Sequence, residues 1–243
     1  MSKIVQRTLE VFELFAKEAR PLSLSEAARL LRIPVSSCHD VFQTLEARGY
    51  LYQVSPRGGY YPTLRISEMM GHIAERDPVL QRAEIALREL RDELDESVSL
   101  ARVEGLSATY LILLEPSHPL RFTVQVGDRV RSLYATATGK AVLGTLPAPD
   151  RRRVISGLTF VPLTDRTIGS AEDLSREIDL SLSRGWFVNR EESVPGGITL
   201  ASTFRWSRSC FVVTVAGPMG RIDSRVPRIA QRMKDVCGRL ENP

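Results

Sequence analysis

The sequence is poor in the features that mark secreted, membrane or metal-dependent proteins. Its 243 residues include three cysteines, Cys38, Cys210 and Cys237, an odd number with no C-x-x-C pair. A disulfide framework is therefore not expected, and a reducing, cytoplasmic setting is, with the thiols buried or idle. No run of about 18 apolar residues occurs, the length a helix needs to cross a bilayer. The N-terminus, MSKIVQRTLEVFELFAKEAR, carries charges throughout and lacks the apolar stretch of a signal peptide. His39, His72 and His118 share no metal-ligand spacing with each other or with the cysteines. Internal repeats and low-complexity segments are lacking too.

Catalytic motifs are equally scarce. Thr138-Gly139-Lys140-Ala141 invites comparison with a phosphate loop, but Tyr134 stands where that loop needs its first glycine and Ala141 where it needs a hydroxyl. No G-x-S-x-G elbow appears. Glu191 and Glu192 could supply acid–base carboxylates, but neighbours on a strand face opposite sides. Neither an enzyme nor a cofactor is expected.

What is present has the composition of a globular protein, 43% hydrophobic and 26% charged. The net charge of +4 is unevenly placed: residues 1–65 hold nine basic and six acidic residues, and the rest is nearly neutral. That permits a nucleic-acid contact near the N-terminus without requiring one.

Patterning there is specific. Ile4 to Ala16 reads as a helix broken by Pro21. Ser23-Leu24-Ser25-Glu26 reads as a capping box opening a short helix to Leu31. After Arg32-Ile33-Pro34, Cys38, Val41, Phe42 and Leu45 fall on one stripe of a helix over 36–48, with Gly49 placed to cap it. Tyr50–Val54, a Ser-Pro-Arg-Gly-Gly turn and Tyr60-Tyr61 read as a hairpin. This order is that of a winged helix-turn-helix. The exposed face of helix 36–48 carries short hydrogen-bonding groups in place of the usual Glu and Lys. Ser36, Ser37, His39, Asp40, Gln43, Thr44 and Arg48 are the candidate DNA contacts, with Arg57 on the wing reaching a minor groove or a phosphate. The competing reading is an ordinary surface helix of a bundle used for protein contacts, which would show no preference for an operator sequence.

Residues 64–75 continue as an amphipathic segment, and Asp77-Pro78 marks a boundary. A helix over 79–96 follows. Strands are then expected at 98–102, 110–114 (buried on both faces), 122–126, 186–188, 198–201 and 211–216. Helices are expected at 137–146, 150–156, 171–184 and 226–240. That is an antiparallel sheet flanked by helices, an α+β domain. Ala135 to Gly139 is a small-residue turn into a helix N-terminus, whose amides and dipole favour an anion unless Thr136 or Thr138 caps them.

Leu24-Ser25-Glu26-Ala27-Ala28, Pro34-x-Ser36-Ser37, Leu45-Glu46-x-x-Gly49-Tyr50-Leu51 and Tyr60-x-Pro62-Thr63-Leu64 resemble the N-terminal signature of the isocitrate-lyase-regulator (IclR) family of bacterial transcription factors. Gly127 to Ala141, Gly185-Trp186, Glu191-Glu192, 196–201 and 213–218 resemble its effector-binding domain. The resemblance implies a winged helix-turn-helix over 1–63, a linker helix over 64–77 and a GAF-like α+β effector domain over 78–243. It further implies a homodimer or dimer of dimers that binds double-stranded operator DNA, without a membrane role, and responds to a small carboxylate or aromatic acid. Carried over residue by residue, the effector site would comprise Leu133, Thr138, Gly139, Lys140, Ala141, Asn189, Thr199, Thr214 and Ala216. Asp40 stands where the family usually has arginine. Asn189, Thr199 and Ala216 stand where members binding small oxo-acids have aspartate, cysteine and serine, which points to a different ligand.

Overall fold

The computed structural model describes residues 2–55, 58–122 and 124–241. The chain forms two compact units, Met1–Arg76 and Asp77–Pro243.

The first unit contains α1 (Lys3–Glu18), α2 (Leu24–Leu31), α3 (Val35–Ala47), β1 (Leu51–Gln53), β2 (Tyr60–Pro62) and α4 (Arg65–Glu75). Helix α1 ends ahead of Pro21, because Ala19 already takes a left-handed conformation and its amide closes on Phe15 O. The expected stripe of α3 is the core: Cys38, Val41, Phe42 and Leu45 are buried, with Phe42 against the rings of Phe15 and Tyr60. Gly49, at φ 74°, lets the chain turn out of α3 while its own amide bonds Glu46 O and that of Tyr50 bonds Leu45 O. β1 and β2 pair antiparallel, and β2 is tied to the α1–α2 connection by a two-way bridge between Leu22 and Tyr60.

At the start of α2, Ser23 Oγ accepts from the Glu26 amide while the Glu26 carboxylate accepts from the Ser23 amide and hydroxyl. Those bonds, with help from Arg20, hold the Glu26 carboxyl at about 2. A depressed carboxyl contributes stability above its ordinary pKa and loses it as pH falls through the folded value, so this cap weakens only in strong acid. Ser23→Ala should cost the N-terminal unit about 1 kcal/mol, the usual worth of an N-cap. It should also return Glu26 toward the ordinary carboxylate range. Carboxyl-detected NMR titration checks this; an unmoved Glu26 would show that the reciprocal bond is not what holds it.

The second unit contains α5 (Pro78–Leu94), β3 (Ser97–Glu104), β4 (Ser107–Leu114), α6 (Ala137–Gly144), α7 (Ala148–Ser156), α8 (Ala171–Arg184), β5 (Phe187–Arg190), β6 (Gly197–Trp206), β7 (Ser209–Pro218), α9 (Met219–Ile222) and α10 (Val226–Glu241). Its sheet is fully antiparallel, in the order β4-β3-β7-β6-β5. One face carries Val98, Leu100, Ile198, Leu200, Val213 and Val215 against α5 and α10, forming the largest core. Burying each leucine of the α5 stripe, Leu87, Leu90 and Leu94, stabilises by about 1.5–3 kcal/mol. The other face is apolar only in part. Ala101, Ala201, Val212 and Phe187 pack in the cores that contain α6 and α8, and beyond them the same face turns polar.

Two strand expectations need correction. β4 is an edge strand whose residues alternate between buried and half-buried, so its apolar run is not covered on both faces. Phe122 to Val126 is not a strand. Gly127, at φ 92°, and Asp128 instead bond Tyr110 on β4, and the chain runs beside that edge with a single bridge, Thr109 to Arg129. Period-two apolarity here marks a segment laid against other residues, without a ladder of its own.

Candidate DNA interface and ligand cavity

On α3, Ser36, His39, Asp40, Gln43, Thr44 and Arg48 are exposed and Ser37 is half-buried; Arg57 lies outside the described residues. The helix starts one residue earlier than its serines indicate, leaving Val35 about half exposed at its tip. Thr44 Oγ1 donates to Asp40 O, so its hydrogen is spent within the helix and only its lone pairs face outward. Asp40 lies 3.9 Å from His39 Nδ1. The centre of the face thus offers acceptors, while Ser36 and Gln43 can still donate.

In the second unit, a cavity of about 690 Å³ opens on the polar end of the sheet face. Strand register explains it. Ser97, Ala216, Thr199 and Asn189 lie side by side across β3, β7, β6 and β5, and Ser99 and Thr214 form the next row. All six line the cavity, together with Tyr110 and Leu113 of β4. Phe122, Val124, Leu133, Leu158 and Leu163 supply apolar walls, and Asp128, Arg129 and Arg131 supply charge. Arg129 pairs loosely with Glu104, at 3.5 Å.

The N-terminus of α6 enters the same cavity through Thr136, Ala137 and Thr138. Part of this turn satisfies itself: Ser132 Oγ accepts from the Tyr134 and Ala135 amides, and Thr136 Oγ1 from the Gly139 amide. The amides of Ala137 and Thr138 have no acceptor among the described residues. The Tyr110 and Thr138 hydroxyls bond each other at 3.1 Å. Gly139 is needed for close approach, since a Cβ there would sit 2.0 Å from Ser132 O and 2.7 Å from Leu133 Cα.

With this geometry in place, comparison with known proteins is direct. Residues 71–240 match the family described as bacterial transcriptional regulator IclR C-terminal, and residues 4–55 match the IclR helix-turn-helix domain. The chain belongs to the IclR family of bacterial transcriptional regulators. Among its relatives are SauR of Cupriavidus necator, 28% identical over 89% of this chain and 86% of the relative, and KipR of Bacillus subtilis, 28% identical over 97% and 94%. IclR of Thermotoga maritima has the same fold, with a TM-score of 0.68 at 20% identity over 99% and 98% of the two chains. So does an IclR homologue of Microbacterium hydrocarbonoxydans complexed with 4-hydroxybenzoate, with a TM-score of 0.73 at 18% identity over 98% of each.

Within this IclR protein, the cavity gathers six of the nine effector candidates: Leu133, Thr138, Asn189, Thr199, Thr214 and Ala216. Gly139, Lys140 and Ala141 do not line it. Helical rotation is the reason, for Lys140 projects away from the turn that Thr136 to Thr138 present. Its ammonium is fully buried, donating to Val188 O at 2.8 Å and to Glu192 Oε1 at 2.6 Å. Ala141 lies one turn deeper, in the core with Tyr134 and Ile178. Sequence reasoning missed Ser97, Ser99, Tyr110 and Arg131. The Ser-Val-Ser alternation at 97–99 was the available signal, since polar residues at period two beside an apolar series mark one polar face of a strand. Glu191 and Glu192 do diverge: Glu192 turns inward to Lys140, while Glu191 pairs with Arg166. Cys38 and Cys237 are buried, and burial pushes both thiols up, Cys237 to about 12. Among the described residues, no cluster of three or more His, Cys, Asp or Glu could hold a metal, and no helix is long and apolar enough to cross a membrane.

Proposed function

We propose that this regulator is ligand-responsive: its cavity binds a small organic acid, and binding shifts operator affinity to control metabolic, catabolic genes. The observation that carries the reading is the enclosed cavity into which the α6 N-terminus and Arg131 both project. Two amides at a helix N-terminus and a guanidinium are the donors a carboxylate requires. The relative complexed with 4-hydroxybenzoate supports an acid in this fold. An effector must bind the two DNA-binding states unequally. A genuine one should therefore change operator affinity by about 5–150-fold, the usual range of allosteric coupling. A thermal-shift screen of carboxylates followed by operator titration with and without each hit tests this. Hits that leave operator affinity unchanged would refute it, as would hits confined to neutral or cationic compounds.

DNA contact is assigned to the exposed face of α3. Gln43 is the residue able to bond adenine in two-point fashion, and the Val35 methyls can meet a thymine methyl. Gln43→Ala should weaken operator binding by about 1–3 kcal/mol and relax preference at one base pair. Ser37→Ala should weaken all sequences about equally. Fluorescence anisotropy with operator and scrambled duplexes distinguishes the two; an unchanged operator affinity in the folded double variant would move the interface elsewhere. A symmetric dimer would place two such helices on half-sites about one helical turn apart or a multiple of it. Ile4, Val5, Leu9, Met69, Met70 and Ile73 leave apolar surface exposed on the first unit, consistent with a further copy covering it.

A further inference from the structure

The cavity floor is unusually rich in hydroxyls for the face of a central sheet. Across the two register rows that form it, Ala216 is the one apolar side chain; Ser97, Ser99, Thr214, Thr199 and Asn189 are polar. Ser97 is 3% exposed, and its Oγ has no hydrogen-bond partner in the protein. Ser99 and Thr214, also buried, bond each other at 2.5 Å. That single bond uses one hydroxyl hydrogen and leaves the other without an acceptor. Asn189 is largely satisfied, with Oδ1 accepting from the Glu192 amide and Nδ2 donating to Ser193 Oγ. The floor therefore holds two hydroxyl donors that the protein does not satisfy, both buried in the wall of a ligand-sized cavity.

A buried polar group without a partner costs about 1–3 kcal/mol. A serine at 97 is therefore a cost to the ligand-free fold, offset only when a bound molecule presents an acceptor to it. We infer that the effector is a hydroxy- or oxo-substituted carboxylic acid, whose second oxygen is received by Ser97 and the Ser99–Thr214 pair while its carboxylate lies at the α6 N-terminus and Arg131. This rests on the cavity's being the effector site, and it excludes unsubstituted aliphatic and aromatic acids, which would seal both donors against carbon. The apolar walls, Phe122, Val124 and Leu163 among them, cover the carbon skeleton between the two polar ends.

The test is calorimetric titration of the full chain with two matched pairs, benzoate against 4-hydroxybenzoate and hexanoate against gluconate, in wild type and Ser97→Ala. In wild type, the oxygenated member of at least one pair should bind about tenfold or more tightly than its partner, because sites built to bond a hydroxyl reject the analogue lacking it. Ser97→Ala should shrink that preference by weakening the oxygenated acid, leaving the partner unchanged. Ligand-free Ser97→Ala should melt no lower than wild type, since it deletes an unsatisfied group. Acids that bind without an oxygen preference would overturn the inference and leave the effector site standing; no binding by any of the four acids would count against both. Equal weakening of every acid by Ser97→Ala would place the carboxylate itself on this floor and also overturn the inference. A lowered melting point for the ligand-free variant would give Ser97 a structural partner and do the same.

Discussion

Lys140→Met is expected to destabilise the C-terminal unit by about 3–5 kcal/mol, because it leaves the Glu192 carboxylate buried without its counter-charge. The ammonium is wholly inaccessible and bridges α6 to β5 and the segment after it through Val188 O and Glu192. Burial pushes the Glu192 carboxyl up and the Lys140 ammonium down, while each charge pulls the other back toward its ionised form. Glu192 Oε2 has no other hydrogen-bond partner, so nothing else on the carboxylate compensates. The deficit should depend on pH with a definite sign. A carboxyl raised above its unfolded value contributes most below the ordinary carboxylate pKa and loses that contribution as pH rises through the folded value. Lys140→Met should therefore fall furthest behind wild type at neutral pH and recover part of the gap in mild acid. Lys140→Met with Glu192→Leu should regain most of the loss, since an apolar pair of similar volume avoids both desolvation costs. Trp186 and Trp206, the two tryptophans of the chain, both lie in this unit, so their fluorescence during urea unfolding isolates it from the winged helix. A neutral single substitution would show that the pair is not the anchor described.

Ala216→Leu is expected to abolish binding of whichever acid the screen yields. Ala216 sits at the middle of the floor row, between Ser97 and Thr199, where a larger side chain has only the cavity to occupy. Half-exposed to that space, it can be enlarged without the strain that follows insertion into a close-packed core. Operator affinity without ligand should stay near wild type, since the DNA-reading helix belongs to the other compact unit. Calorimetry with the acid, beside operator titration of the same preparation, provides both readouts. Equal ligand affinity in the two proteins would remove Ala216 from the site, and joint loss of ligand and operator binding would mean that the substitution had damaged the fold.

Much of this molecule was legible residue by residue, where the interactions are local. The Ser23–Glu26 reciprocal cap, the α3 stripe and the Gly49 exit each depend on groups within a turn or two, and each forms as its spacing indicates. The polar face of α3 was legible for the same reason, although the Thr44 bond to Asp40 narrows what it can offer. Legibility fails where a pattern has two solutions. Alternating apolarity at 122–126 fits a strand or an extended segment lying beside one, and the choice belongs to Tyr110 and Gly127, more than a dozen residues apart. The Thr138-Gly139-Lys140-Ala141 run was read as one patch of cavity wall, yet helical rotation divides it between cavity and core.

From the sequence alone came the family, the two-part organisation, the winged helix and the identity of the DNA-reading face, because period, caps and turn residues act over short distances. Tertiary structure alone decided the ligand site. Ser99 and Thr214 are 115 residues apart, and only the β3–β7 register sets their hydroxyls together. Lys140 and Glu192 are 52 apart, and only the packing of α6 beside β5 turns a lysine that looked like a ligand contact into a buried ionic anchor. Local preferences bias each segment's own conformation, but pairings between distant segments depend on the free energy of the whole packed sheet, which no single stretch of residues contains.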